Sequence, residues 1–463
     1  GGAITGGGGG FEKGSWWHYV RTGAEMRPLE WGLGYALPLV FYFCLLPMLS
    51  RADETREGGA FDDDGSAAVA KVASRFFARN ALVQASMFAV VVNTPVLLSG
   101  AVMTYVDIGW PLGLVLIAIQ AWSLSGGAGE GLVAASGLRR CLACGCMLLH
   151  GGRMFLGAVV MFGQKSKWTF RFKEDLPRYR FARFRWSSSS GLGDGMPAKH
   201  WWVKAQHDCA TQCWMNCTLC ALPTVLAAFN TRDASLGMVE VFGFVLWLAA
   251  YAVENTADAQ KLFFMTEVRR MDKQRGQEQQ NDKATSLSST AVLGHHPFSG
   301  PKYSLWAHSR HPNYACELAA WVGLALVGAS NVGSFVDPSG KEWWSGGSGA
   351  AAARTATSSS SSSSSSWSTH SSAAAVVLLL LLLLLVRGLF DCLVHWTGAA
   401  PAEHFSVSKR PAYRAYQAAV PVLFPTFLAP WMNPRMMPGW PSFTPTSTPA
   451  QFAAPTSADR KLA

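Results

Sequence analysis

"AAAVVLLLLLLLLVRGLFDCLVHW" (Ala373 to Trp396) holds an unbroken leucine run from Leu378 to Leu385, and Arg387 and Asp391 are the only residues in the stretch with a full charge at neutral pH. About 20 apolar residues carry a helix across the hydrocarbon core of a bilayer. Inside that core the backbone must satisfy its own hydrogen bonds, so a run of this kind is a spanning helix. Seven further stretches repeat the pattern: Trp31 to Leu49, Asn80 to Val106, Ile108 to Leu124, Cys141 to Phe162, Cys209 to Phe229, Leu236 to Val253, and Glu317 to Gly328 with an extension to Phe335. The expected fold is therefore all-α, a polytopic transmembrane bundle of seven to eight spans. Composition agrees, with 49% hydrophobic residues, 15% charged residues and 19 Trp, which together mark an integral, multi-pass membrane protein with the lipid bilayer as its first partner.

The net charge of +10 does not signal nucleic acid, because the basic residues lie between apolar segments and form no separate basic domain. They act as topology signals. The loop from Gly163 to His207 carries Lys165, Lys167, Arg171, Lys173, Arg178, Arg180, Arg183, Arg185, Lys199 and Lys204, and the loop from Glu254 to Asn313 is also basic. Two crossings separate these loops, so both face one side, and the bias of Lys and Arg places that side in the cytosol. Ten cysteines give no secreted-type framework, since most fall inside apolar segments; Cys209, Cys213, Cys217 and Cys220 read as small residues at helix contacts and not as metal ligands.

Organisation follows from composition. Residues 1–30 are a Gly-rich segment, 31–149 carry the N-terminal spans, and 150–430 form a membrane domain interrupted at 337–372 by a Ser, Gly and Ala insertion; 431–463 are a Pro-rich tail. The insertion and both tails lack the apolar residues a core requires and read as disordered.

Polar side chains at membrane depth are functional candidates by default. In "ENTADAQK", Glu254, Asp258 and Lys261 share one helix face at i, i+4 and i+7. In "YSLWAHSRHPNYACE" (Tyr303 to Glu317), Arg310 and His311 are suited to phosphate, while Asn313 and Glu317 offer hydrogen bonds for an amide or ribose. Pro312 disfavours helix at His311, so the turn stays open and a helix begins near Asn313 with its N-terminus available to an anion. Each stretch also has a plain structural reading, as a solvated charge ladder and as an interfacial cap with an aromatic anchor.

These two stretches, with "KRPAYRAYQAAVPVLFPTF" (Lys409 to Phe427) and "RFKEDLPRYRFARFRW" (Arg171 to Trp186), resemble in content and order the steroid 5α-reductase-like membrane proteins, within the branch whose substrates are mostly unassigned. The resemblance runs from about His150 to Phe427. It implies NADPH as cofactor, held by Glu254, Asp258, Asn313, Tyr314 and Glu317, to which the reading of the residues adds Lys261, Arg310 and His311 as cofactor-binding candidates. It also implies reduction of a carbon–carbon double bond in a hydrophobic lipid substrate, an enzyme of the oxidoreductase class, and residence in the endoplasmic reticulum, with a plastid membrane as the alternative. In "LHGGRMF", Arg153 matches the family's helix arginine, and His150 stands where steroid reductases carry a carbonyl-polarising Tyr; both are the expected catalytic residues. Met265 departs from a basic position, which Arg269 or Arg270 would replace. Two other readings stand beside this one. An S-adenosylmethionine-dependent membrane methyltransferase shares the Arg-His-Pro-x-Tyr pattern, and a non-catalytic lipid binder would retain the same fold.

Overall fold

The computed structural model describes residues 36–45, 47, 64–126, 136–186, 201–230, 235–278, 287, 290–336 and 365–424. The Gly-rich start, most of the Ser-rich insertion, all residues beyond 424 with the Pro-rich tail, and both ends of the expected Trp31 to Leu49 span lie outside these residues. Every regular element among the described residues is a helix. We label the main ones α1 (Asp64–Met87), α2 (Val106–Gly126), α3 (Ser136–Lys165), α4 (Pro177–Trp186), α5 (Trp201–Cys217), α6 (Leu222–Ala228), α7 (Met238–Glu278), α8 (Pro312–Val336), α9 (Ser365–Asp391), α10 (Ala399–Lys409) and α11 (Tyr413–Ala419). Six stretches among the described residues are long and apolar enough to cross a membrane: Lys71–Leu98, Met103–Ser125, Gly137–Lys165, Met238–Arg275, Pro312–Val336 and Ala373–Val407. The chain is an all-α, polytopic membrane bundle.

Two segments differ from the sequence expectation. The stretch from Cys209 to Phe229 is not one span: α5 stops at Cys217, a turn follows, and Pro223 sits in the first turn of α6. Proline fits there because the N–H it lacks would be unpaired in any case. Residues 216–230 are buried throughout, and α6 packs on α3 and α8 inside the protein instead of facing lipid. The second difference is α7, which continues through residues expected to form a loop. Its 41 residues span about 60 Å at 1.5 Å per residue, roughly twice a bilayer core. The charged half beyond Glu254 therefore projects as helix.

Helices α3, α7 and α8 are tied at two levels. Arg139 Nε bonds to Glu240 at 2.7 Å, and Arg153 bonds to Glu254, each pair 101 residues apart in sequence, so α3 and α7 run parallel. α8 runs antiparallel to both, with Asn331 reaching Glu240 at 3.1 Å and Glu317 lying 3.8 Å from Arg153. The two levels are about four turns, or roughly 21 Å, apart. Both thus fall within the thickness of a hydrocarbon core, where polar groups persist only when paired.

Between these levels α7 and α8 touch backbone to backbone. A Cβ built on Gly323 would meet the Gly243 carbonyl oxygen at 2.6 Å, and one on Gly243 would meet the Gly323 oxygen at 2.7 Å. Small residues let membrane helices approach in this way. Gly323→Val is expected to push the helices apart and destabilise the protein by about 1–3 kcal/mol, the usual cost of overpacking. The check is the thermal unfolding midpoint in detergent, with Gly152→Ala as control, because no atom beyond the surrounding helix backbone and chain neighbours lies within 4 Å of a Cβ at Gly152. An unchanged midpoint for Gly323→Val would remove this account of the helix contact.

Candidate functional site

Arg153 is the centre of one of the two polar levels. Its guanidinium bonds to Glu254 and to Asp258 Oδ2 at 2.9 Å, and lies 3.8 Å from Glu317 Oε2. Helix period explains the gathering. Glu254 and Asp258 are one turn apart on α7, and Glu317 is one turn beyond Asn313 on α8, so antiparallel packing sets two acidic faces around one arginine. Asn313 Nδ2 donates to Asp258 Oδ1 at 3.3 Å. Glu317 also accepts from Trp321 Nε1 at 2.9 Å and bonds to His150 Nε2 at 2.9 Å. Two acceptor oxygens at this level, Glu254 Oε2 and Asn313 Oδ1, are buried without a hydrogen-bond partner among the described residues.

His150, Glu254 and Glu317 also bring one ligand atom each to within 4.8 Å of one another, a spacing that could suit a metal. The Arg153 guanidinium stands among the same carboxylates, however, and already supplies positive charge there.

The cluster forms one wall of a cavity of about 470 Å³. From Arg153 the lining continues along α3 through Met154, Gly157, Ala158, Met161 and Phe162, an advance of nine residues or about 14 Å. Met215, Leu389, Leu393 and Trp396 widen this apolar surface. Pocket shape of this kind, largely apolar with a few convergent polar groups, is that of a small-molecule site.

The structure separates the expected site residues into two sets. Arg153, Glu254, Asp258, Asn313, Tyr314 and Glu317 all line the cavity. His150 does not: it is fully buried behind Glu317, edge-on to Trp321 at 5.4 Å. Its contact is with the carboxylate and not with the cavity, so it is placed to position Glu317 and not to meet a substrate carbonyl. Lys261 is exposed on α7 with its amine 5.7 Å from the Trp306 ring, and it also lies off the cavity lining. Met265 is exposed on the same helix.

Arg310 and His311, expected as phosphate ligands, point the other way. Arg310 grips Glu403 of α10 through Nε at 2.6 Å and Nη2 at 3.2 Å, and donates to the carbonyls of Gln417 and Val420. His311 Nε2 meets the same carboxylate at 3.1 Å. The open turn itself is paired as well, with Arg310 N bonding Pro421 O at 2.9 Å and His311 N bonding Val422 O at 3.0 Å. Burial holds the His311 imidazole below its ordinary value, against the pull of Glu403. The Pro-broken turn is thus a clasp for the C-terminal segment, and Asn313 and Tyr314 are presented to the cavity from its far side. Tyr314 stacks on His311 at 5.3 Å.

Sequence reasoning did not single out Asp107, Tyr179 or Glu403. Tyr179 donates to Asp107 Oδ1 at 2.6 Å, and both line the cavity with Arg178. The loop before α4 is docked on the start of α2, since Asp175 accepts from Met103 N at 2.6 Å and Thr104 Oγ1 accepts from Leu176 N at 3.2 Å. Burial pushes the Asp175 carboxyl up to about 6, with Arg183 and the backbone amides opposing. An available signal was the aromatic and arginine-rich "PRYRFARFRW", although nothing local in it names Asp107 as a partner.

No curated protein and no solved structure matches this chain. Residues 97–337, which include Asp107, Tyr179 and the whole Arg153 cluster, match a family model described as "Protein of unknown function (DUF1295)". The match covers more than half of the chain, which therefore belongs to that family.

Proposed function

We propose that this chain is a membrane-embedded, NADPH-dependent reductase of a carbon–carbon double bond in a lipid, with its cofactor site facing the cytosol at the endoplasmic reticulum. The observation that carries the reading is the pair of unpartnered acceptors, Glu254 Oε2 and Asn313 Oδ1, at the polar end of a cavity with apolar walls. Such acceptors suit the carboxamide N–H and ribose hydroxyls of a nicotinamide nucleotide. When bound, NADPH supplies the hydride for the β-carbon of a double bond conjugated to a carbonyl. The chain's own residues do the rest. Arg153 fixes the two α7 carboxylates, Asn313 extends that surface, and His150 holds Glu317 in place. Lys261, Arg269 and Arg270, exposed on the projecting part of α7, are the cations available to phosphates beyond it. The wall of Met154, Met161, Met215 and Leu393 excludes water, which strengthens every polar contact inside.

Glu254→Ala and Asn313→Ala are each expected to weaken NADPH binding by about tenfold or more, the effect of one lost hydrogen bond at a charged site. Nucleotide titration of the purified protein measures this, and unchanged affinity in both variants would remove the assignment. Thermal stabilisation by NADP is expected to exceed that by S-adenosylhomocysteine; the reverse order would favour methyl transfer instead.

A further inference from the structure

The cavity has a second polar pole, formed where α4 docks beside the start of α2. Asp107 Oδ1 accepts from Tyr179 at 2.6 Å, and Arg178 Nη1 lies 3.7 Å from the same oxygen. The other carboxylate oxygen, Asp107 Oδ2, is buried with no hydrogen-bond partner among the described residues. Helix α5 adds Lys204 to the lining, ion-paired with Asp208 one turn on. No hydrogen bond or ion pair joins Asp107, Arg178 or Tyr179 to the Arg153 cluster. On α3 the same cavity is lined by Met154, Gly157, Ala158 and Met161.

The charge at this pole decides what it takes. Each cation faces a carboxylate, Arg178 with Asp107 and Lys204 with Asp208, so the pole is formally neutral. A phosphate or carboxylate group calls for surplus positive charge and convergent donors, and here it would meet two acidic side chains. A group that both donates and accepts fits better. Its hydrogen has a free acceptor in Asp107 Oδ2, and its oxygen has a donor in the partly exposed Arg178, whose guanidinium carries five N–H groups. Tyr179 orients Asp107, and the docked Asp175 and Leu176 fix Tyr179.

We propose that Asp107, Arg178 and Tyr179 form the binding site for the hydroxyl group of a neutral lipid, whose hydrocarbon body lies along the α3 wall. As a substrate assignment this rests on the reductase reading; as a binding site it stands on the geometry alone. A neutral lipid that carries this hydroxyl as well as the conjugated carbonyl is then the class of molecule presented to the Arg153 end of the cavity.

The test uses the full chain in lipid nanodiscs, labelled with a photoreactive diazirine analogue of hexadecanol. Hexadecanol, hexadecanoic acid and hexadecyl phosphate compete for the label, and NADP binding is measured separately. Hexadecanol is expected to compete at least tenfold better than either anion, and the label is expected on peptides of α2, α3 or α4. Asp107→Ala is expected to weaken the alcohol by about tenfold, and Tyr179→Phe, which removes a single oxygen, to weaken it less. Equal or better competition by either anion in the wild type overturns the proposal without any variant, as does unaltered alcohol affinity in both variants. Alcohol selectivity in a protein that fails to bind NADP supports the site and removes the reductase reading.

Discussion

Arg153→Met is expected to unfold the Arg153 level of the bundle and to abolish NADPH binding. Arg153 is the shared counter-ion of Glu254, Asp258 and Glu317, and its own side chain is only 17% exposed. Asp258 is 43% exposed and loses little when left to water. Glu254 and Glu317 are buried, and a buried carboxylate without its partner costs about 3–5 kcal/mol. Because the pair links α3, α7 and α8, the loss falls on three spans at once. The thermal unfolding midpoint in detergent should drop by several degrees, and nucleotide titration should show no saturable binding. Arg153→Met combined with Glu254→Gln should recover part of the midpoint, since a neutral amide replaces one stranded charge, without recovering nucleotide affinity. A single variant as stable as the wild type would show that the arginine does not hold this level together.

What the sequence disclosed depended on distance along the chain. The Leu378 to Leu385 run, the start of α8 at Pro312 and the shared faces of Glu254 with Asp258 and Asn313 with Glu317 are all local, set by helix period and proline geometry. Their convergence on Arg153 crosses 101 and 105 residues. Composition and spacing could not supply that meeting. Arg310 and His311 show the opposite failure. Their residue types suit phosphate, but their partner Glu403 lies more than ninety residues later, and a lone acid in "APAEHF" carries no local sign of a buried role. The turn in α5 and α6 was hidden for another reason. A continuous apolar segment looks alike whether it faces lipid or the interior, and Pro223 alone marked the break.

Glu403→Ala is expected to produce the second large loss, through the C-terminal clasp. Both Arg310 and Glu403 are almost fully buried, and the carboxylate is met by Arg310, His311 and Gln417 Nε2 at 2.7 Å. Removing it leaves a buried guanidinium with carbonyl partners and no counter-charge, a loss of about 3–5 kcal/mol. Because the same turn presents Asn313 and Tyr314, nucleotide affinity should fall although neither cavity residue is changed. Arg310→Met with Glu403→Leu should be far less damaging than Glu403→Ala, because replacing both charges strands neither. The clasp also sets a pH dependence. His311 is held below its ordinary value by burial, so the unfolded chain takes up a proton that the folded chain refuses. Stability is then complete above the unfolded value of about 6.5 and declines as pH falls through it. Of the charged groups acting on the ring, Glu403 opposes this shift, whereas Arg310 and Lys261 reinforce it. His311→Gln should flatten that decline while the neutral-pH midpoint shows the cost of the lost contact. An acid limb identical in the variant and the wild type would assign the pH dependence to some other group.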